Sequence, residues 1–219
     1  MVDKWGEECL GTTMILRRNL IAFFFASLVV TAVTSVPASA TPPEQAAALL
    51  SKLANSTVAV LQVKGTPLDV REAKIRDLLR NNFDFYRIGR YVIGRAWHSA
   101  NKAQQTEFLT LFRENVLRTY SRRLGGYVGQ SFKVVGASAL GKKDALVKTV
   151  ITRPSGPPIK AGWRVRQTPE GFKILDVMVA GLSMIKTQRS EYTSVIKSQG
   201  VSGLIESLRL RNTKFAARR

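Results

Sequence analysis

Ile159-Lys160-Ala161-Gly162-Trp163-Arg164-Val165-Arg166 is the stretch that decides the fold. Ile159, Ala161, Trp163 and Val165 fall on one parity and Lys160, Gly162, Arg164 and Arg166 on the other, which is the period of a strand with one buried and one wet face. Residues 131–138, 145–153 and 172–179 read as flanking strands. The connections are Gly141-Lys142-Lys143-Asp144, Pro154-Ser155-Gly156-Pro157-Pro158 and Gln167-Thr168-Pro169-Glu170-Gly171, all hairpin-sized and rich in turn formers. The expectation is a curved, mostly antiparallel sheet of about four strands. In the last strand Ile174 and Met178 on one side and Leu175, Val177 and Val179 on the other are all apolar, which suits a central position.

Upstream of residue 131 the period is helical. Thr41-Pro42-Pro43-Glu44 has the cap, first-turn proline and early acid of a helix start, and Ala46, Leu49, Leu50, Leu53 and Val60 keep helical spacing. A second helix follows Thr66-Pro67, with Ile75, Leu78, Leu79 and Phe83 on its apolar face and Arg71, Lys74, Arg76 and Arg80 between them. Residues 83–97 are dense in aromatics and need a surface to bury against. Asn101 is placed to cap a long helix whose stripe is Phe108, Leu111, Phe112, Val116, Tyr120 and Leu124, ended by Gly125-Gly126. After Gly181 the helical period returns through Tyr192, Val195 and Ile196 to Gly200, then from Ser202 through Leu204, Ile205 and Leu208. Residues 212–219 read as a loose basic tail. The fold class is α+β, a helical layer on a sheet.

The N-terminus reads as a leader. Arg17-Arg18 precedes an apolar run from Leu20 to Val30, and Ala38-Ser39-Ala40 supplies a small-residue cleavage site. The run is shorter than the ~20 residues a spanning helix needs. Residues 1–40 are therefore expected to be a cleaved signal peptide that sends the chain to the periplasm, with Met14 an alternative initiator to Met1. What remains is of one-domain length and needs neither disulfide nor metal to fold.

Composition narrows the chemistry. The 219 residues carry 34 Lys+Arg against 15 Asp+Glu, a net charge of +19, with 45% apolar and 22% charged residues. These are the proportions of a folded chain. Lys4, Arg17 and Arg18 balance Asp3, Glu7 and Glu8, so cleavage leaves the surplus on the mature protein. Cys9 lies in the leader and His98 is the single histidine, so the mature chain has no ligands for a Cys-rich or multi-His zinc site and no thiol for a Cys/His dyad. Gly181-Leu182-Ser183-Met184 lacks the closing glycine of a nucleophile elbow, and Gly125-Gly126-Tyr127-Val128-Gly129 lacks the Lys-Ser/Thr of a Walker loop. An enzyme is not expected; a hydrolase assembled around His98 is the residual catalytic reading. Charge alone would suit a nucleic-acid or other polyanion partner. Its scatter over helices and strands suits a solvated surface equally well.

The motifs carry a resemblance. Phe83-Asp84-Phe85, Ile88-Gly89-Arg90-Tyr91-Val92-Ile93-Gly94-Arg95-Ala96-Trp97 and the helix from Phe108 to Tyr120 are followed by Gly171-Phe172-Lys173-Ile174-Leu175-Asp176-Val177, Gly181-Leu182-Ser183, Gln188-Arg189-Ser190-Glu191-Tyr192, Gly200 and Leu204-Ile205. This order is similar to that of the MlaC family, the periplasmic phospholipid-binding component of the maintenance-of-lipid-asymmetry system, also called the toluene-tolerance auxiliary component. Phe172 stands where the family often has Trp, and Tyr192 where Phe is common. The resemblance implies that residues 41–211 form a lipid-binding domain with a deep apolar cavity. It implies a shuttle carrying phospholipid between an outer-membrane lipoprotein–porin complex and an inner-membrane ABC transporter with a lipid-binding ring, and so maintaining outer-membrane lipid asymmetry. It leaves a hopanoid open as cargo and implies no cofactor and no catalysis. Transient membrane contact is expected; a nucleic-acid partner is not.

On this reading the cavity is lined from the sheet by Val147, Ala161, Trp163, Val165, Ile174 and Met178, and from the helical layer by Tyr91, Phe112 and Tyr120. Arg71, Arg76 and Arg87 are the candidates for its mouth and the lipid headgroup. Thr41 is the expected first residue of the exported protein; an intact mass that includes residues 1–40 would refute the leader assignment.

Overall fold

The computed structural model describes residues 42–63, 65–125 and 129–216. Residues 1–41, which hold the expected leader and the Thr41 cap, Lys64, the Gly126-Tyr127-Val128 part of the glycine run and the last three tail residues lie outside the described residues. Helices α1 (Pro42–Gln62), α2 (Leu68–Asn82), α3 (Phe85–Ile93), α4 (Ala96–Ser99) and α5 (Lys102–Gly125) precede strands β1 (Ser131–Leu140), β2 (Asp144–Thr152), β3 (Ile159–Thr168), β4 (Gly171–Val179) and β5 (Leu182–Ser183), and α6 (Met184–Ala216) closes the chain. The strands form one sheet in sequence order, each antiparallel to the next. The expected helices-on-antiparallel-sheet architecture is thus the one observed, with a short fifth strand that hydropathy did not reveal.

Local chemistry explains most boundaries. Asn101 caps α5 as expected: its side-chain oxygen accepts from Gln104 N–H at 2.9 Å, and Gln104 Oε1 accepts from Asn101 N–H at 3.1 Å, so two otherwise orphaned donors satisfy each other's residues. Asp84 caps α3 by accepting from Arg87 N–H at 2.9 Å. Gly89 packs closely on α5: a Cβ there would lie 2.5 Å from a Leu109 methyl and 3.4 Å from the Phe112 ring, so the leucine would have to shift. Ala180 and Gly181, both at positive φ, make the two-residue turn between the Val179 and Leu182 pair.

Two expectations about the C-terminal half need correction. The pairing of β3 with β4 shifts between Arg164, opposite Asp176, and Val165, opposite Ile174, leaving Leu175 as an extra residue in β4. Such a bulge reverses parity along the strand. Ile174 therefore shares the helix-covered face with Val177 and Val179, while Met178 packs over Gly162 on the opposite face. β4 lies between β3 and β5, the interior position its two apolar faces suggested, although β5 pairs with it through two residues only. The second correction concerns the tail. α6 breaks at Gly200 (φ 69°, ψ −177°) and then runs on through Asn212 to Ala216. Asn212 is fixed, with its amide donating to Leu111 O at 3.0 Å and accepting from Asn115 Nδ2 at 3.2 Å.

The core is divided. Ala46 and Leu50 of α1 pack on Ala145, Val147, Val165 and Ile174 of the sheet. Phe108, Phe112, Tyr192, Leu204, Ile205 and Leu208 join α3, α5 and α6 in a second cluster. Phe83 touches both. Beside it, Asp84 N–H donates to Ile174 O at 3.1 Å and pins the α2–α3 junction to β4. α5 serves two neighbours, so its buried face moves: Phe108 and Phe112 are buried in its first half, Leu117, Ser121 and Gly125 in its second, where Gly125 lies against Leu68 and Glu72 of α2.

On the opposite sheet face the buried Asp144 accepts from Arg164 Nε at 2.6 Å and from Arg166 Nε at 2.6 Å. Burial alone would raise its pKa, but the two guanidiniums outweigh that and hold the carboxyl below its usual range. A depressed folded-state pKa stabilises above the unfolded value, near 3.9, and that gain is lost as pH falls through the folded value. Asp144→Asn is expected to cost about 1–3 kcal/mol at neutral pH, read by denaturant melts, with the gap to wild type closing below about pH 4. A gap that stays constant down to pH 2 would contradict the ion-pair account.

Candidate functional site

Between the two core clusters lies a cavity of about 490 Å³, within the roughly 300–1,000 Å³ range of small-molecule pockets. α1 contributes Leu53, Ala54, Thr57 and Val58; α2 contributes Ile75, Leu78 and Leu79; α5 contributes Phe112, Val116 and Tyr120. The sheet supplies Phe132, Ile151, Ile159, Trp163, Leu175 and Val177 as a continuous apolar wall.

The wall stays apolar because its polar atoms are turned away and satisfied. Trp163 Nε1 donates to Thr149 Oγ1 at 2.9 Å, so the indole's one donor is spent within the sheet. Its ring meets Phe132 edge-on, centroids 6.0 Å apart. Asp176 lines the cavity yet is buried and paired. It accepts from Ser183 Oγ at 2.6 Å and from Ile185 N–H at 3.2 Å, and Ser183 Oγ in turn accepts from Lys186 N–H at 3.2 Å. The carboxylate thus sits at the start of α6, where helix amides stabilise negative charge. The Asp176-Val177 and Gly181-Leu182-Ser183 stretches are two halves of this one cap.

The cavity opens at a definite end. Thr152 of β2 pairs with Ser131, and Ile159 of β3 pairs with Ile151, so the start of β1, the end of β2 and the start of β3 meet there. α5 ends beside them, and its lining residues Tyr120 and Leu124 are each 37% exposed. Arg123, Gln130 and Arg153 line this end. At the other end the wall closes on the α1–sheet core.

Of the residues expected to line the cavity, Phe112, Tyr120 and Trp163 do so. Val147, Val165 and Ile174 share Trp163's face but belong to the solid core, where Ala46 lets α1 come close to the sheet. Ala161 is buried beside Thr149 and outside the lining. Met178 is on the far face, for the parity reason given above. Tyr91 is on the outside of α3, its ring 4.9 Å from the Arg189 guanidinium. Arg71 and Arg76 lie on α2 outside the lining. Arg87 pairs with Asp84 in a shallow depression with Thr168 and Glu170, at the end opposite the opening. Sequence reasoning missed the α1 wall and the three polar residues at the opening. Leu53 was placed on the right helical face, but periodicity does not tell a face that fills a gap from one that borders it.

His98 is exposed on α4 and outside the lining. Among the described residues no cluster of His, Cys, Asp and Glu has the makings of a metal site, and no helix is long and apolar enough to cross a membrane. Fold and site define an α+β protein built around an open-ended apolar container.

Comparison with known proteins gives that class a family. The family model described as MlaC protein matches residues 51–210. The chain is 23% identical over 168 residues to the intermembrane phospholipid transport system binding protein MlaC of Haemophilus influenzae, covering 73% of this chain and 78% of that one. It superposes with a TM-score of 0.70 and 25% identity on a phospholipid-binding protein from Ralstonia solanacearum solved in complex with a phospholipid, over 78% of this chain and 99% of that one. The chain belongs to the MlaC family.

A filled core and a container answer differently to added volume. Ala54→Trp is expected to change stability by less than about 1 kcal/mol and to displace an apolar ligand, whereas Val147→Trp in the solid core should cost on the order of 1–3 kcal/mol or more. Equal losses in denaturant melts of the two variants would mean that the space beside Ala54 is not free.

Proposed function

We propose that this protein is a periplasmic lipid carrier that takes phospholipid acyl chains into the cavity and moves them between the outer membrane and an inner-membrane ABC transporter, so maintaining outer-membrane lipid asymmetry. The observation that carries the reading is an apolar space with one open end, held between two separate cores. Relatives described as phospholipid-binding support the choice of cargo.

The energetics fit the task. Each methylene moved from water to an apolar site gains about 0.8 kcal/mol, so an acyl chain does not cross an aqueous space uncovered. The lining supplies a comparable apolar surface. Unloading requires that the exchange with bilayer or partner be near balance, because a ligand shifts an equilibrium only by its differential affinity. The net charge of +19 would speed encounters with anionic membranes and acidic partner faces. Leu68 and Leu182, 47% and 66% exposed, stand near the opening, beside Gly125 and opposite Val179 respectively. Together with Leu124 they suit transient contact with a membrane. The partners on this reading are the lipoprotein–porin complex of the outer membrane and the transporter's lipid-binding ring.

The test is organic extraction of the purified exported protein followed by mass spectrometry of the extract. Phospholipid in stoichiometric amount is the expected result, reduced by Ala54→Trp. Lipid-free protein that instead binds DNA in a salt-sensitive way, or cargo consisting of hopanoid alone, would overturn the assignment.

A further inference from the structure

We propose that the outer face of α3 docks an acidic face of a partner protein, with Arg90 and Arg189 each receiving a carboxylate. The surface is read from α3 itself; only the choice of a protein over a bilayer as its occupant rests on the carrier reading. α3 is two-sided. Ile88, Gly89, Val92 and Ile93 are buried toward α5 and α6, while Tyr86, Arg90 and Tyr91 are exposed. Tyr86 keeps 54% of its surface in solvent. Between Phe85 and Ala100 the chain carries three arginines and no Asp or Glu. Arg87 is answered by Asp84. Among the described residues Arg90 and Arg189 have no carboxylate within ion-pair distance.

What these two have instead is aromatic support. Arg90 Cζ lies 5.7 Å from the centre of the Tyr86 ring and 5.3 Å from that of Trp97, and the two rings meet edge-on. Its one polar contact, Nη1 to the Tyr86 hydroxyl, is long at 3.5 Å. Arg189 reaches over from α6 until its Cζ is 4.9 Å from the centre of the Tyr91 ring. Gly94 makes room for it: a Cβ there would lie 3.2 Å from Nη2 and 3.4 Å from Cζ, and its φ of 64° favours glycine as well. Stacking engages the flat face of a guanidinium and leaves its in-plane N–H donors free to grip a carboxylate by two hydrogen bonds. It also orders both side chains beforehand, which lowers the entropic cost of docking. Exposed Tyr with stacked Arg and Trp is the composition enriched at the centres of protein interfaces. Position separates a protein from a bilayer. Gly89 lies against Leu109 of α5, about 20 Å along that helix from Arg123 and Leu124 at the opening. A bilayer seated on α3 would not reach the opening, whereas a docked protein leaves it uncovered.

The experiment measures binding of fluorescently labelled hexaglutamate to the mature protein by anisotropy at physiological ionic strength. Wild type is expected to bind one peptide per chain. Arg90→Lys and Arg189→Lys, which keep the charge but lose the stacked fork, should each weaken binding roughly fivefold, the scale of one hydrogen bond. Arg211→Lys, an exposed arginine of α6 outside this surface, should leave it unchanged. No binding by wild type, or equal binding by all three variants, would mean diffuse charge attraction and would overturn the proposal. Vesicles of phosphatidylglycerol are the second probe: binding to them with the same dependence on Arg90 and Arg189 would overturn the assignment to a protein partner. Organic extraction keeps the two readings apart. The lysine variants should carry as much lipid as wild type; loss of lipid with either would place the arginines in the service of the cavity and overturn the docking role, whereas lipid-free wild type would overturn the carrier reading and leave the peptide result standing.

Discussion

The hydrogen bond from Asp84 N–H to the Ile174 carbonyl is the constraint on which the architecture turns. It joins the helical layer to the sheet by backbone, at the residue where both core clusters meet on Phe83. With that end fixed, α1 closes on the sheet through Ala46, and the layers part toward the end of α5. A protein interior ordinarily packs as densely as an organic crystal. Here one clamp and two independently packed cores hold open a space that neither cluster could enclose alone. The Leu175 bulge adjoins this clamp and keeps Ile174 and Val177 on the same face despite their odd separation.

Much of this was written in the sequence. The parity of residues 159–166 gave the sheet and its inner face, and the Asn101 cap and the Pro42 start placed two helices correctly. Trp163, Phe112 and Tyr120 were found because facing inward is a local property of a periodic segment. Val147 and Val165 show the limit. They face the same way as Trp163, but lining a cavity depends on how near a crossing helix runs, which is decided by Ala46, more than a hundred residues upstream. Met178 was misplaced because a bulge adds one residue without any signature in hydropathy. The polar mouth was hidden for a related reason: Gln130 and Arg153 become neighbours only through the β1–β2 register, whereas Arg71, Arg76 and Arg87 drew attention by lying among apolar helix positions.

The buried polar groups divide along the same line. Asp144, Asp176 and Thr149 are satisfied by guanidiniums, a helix start and an indole, and they serve the scaffold. Tyr192 meets the stacked rings of Phe108 and Phe112 edge-on with its hydroxyl unpartnered, and burial pushes its pKa upward. It acts as a third aromatic ring in the α5–α6 contact, where a phenylalanine would lose little packing and leave no polar atom orphaned.

Strand β1 has β2 on one side and no strand on the other among the described residues. An open row of amides and carbonyls is a template for a second chain, and a folding chain meets other unfolded copies of itself before its own sheet is complete. The pairing of β1 is irregular between Val134 and Gly136, with Val135 turned out, and Lys133 is exposed just before it. A local distortion and a charge on the free edge are what blunt edge-to-edge aggregation in natural sheets. The irregularity in β1 is therefore a guard against edge-to-edge self-association, independent of whatever the cavity carries.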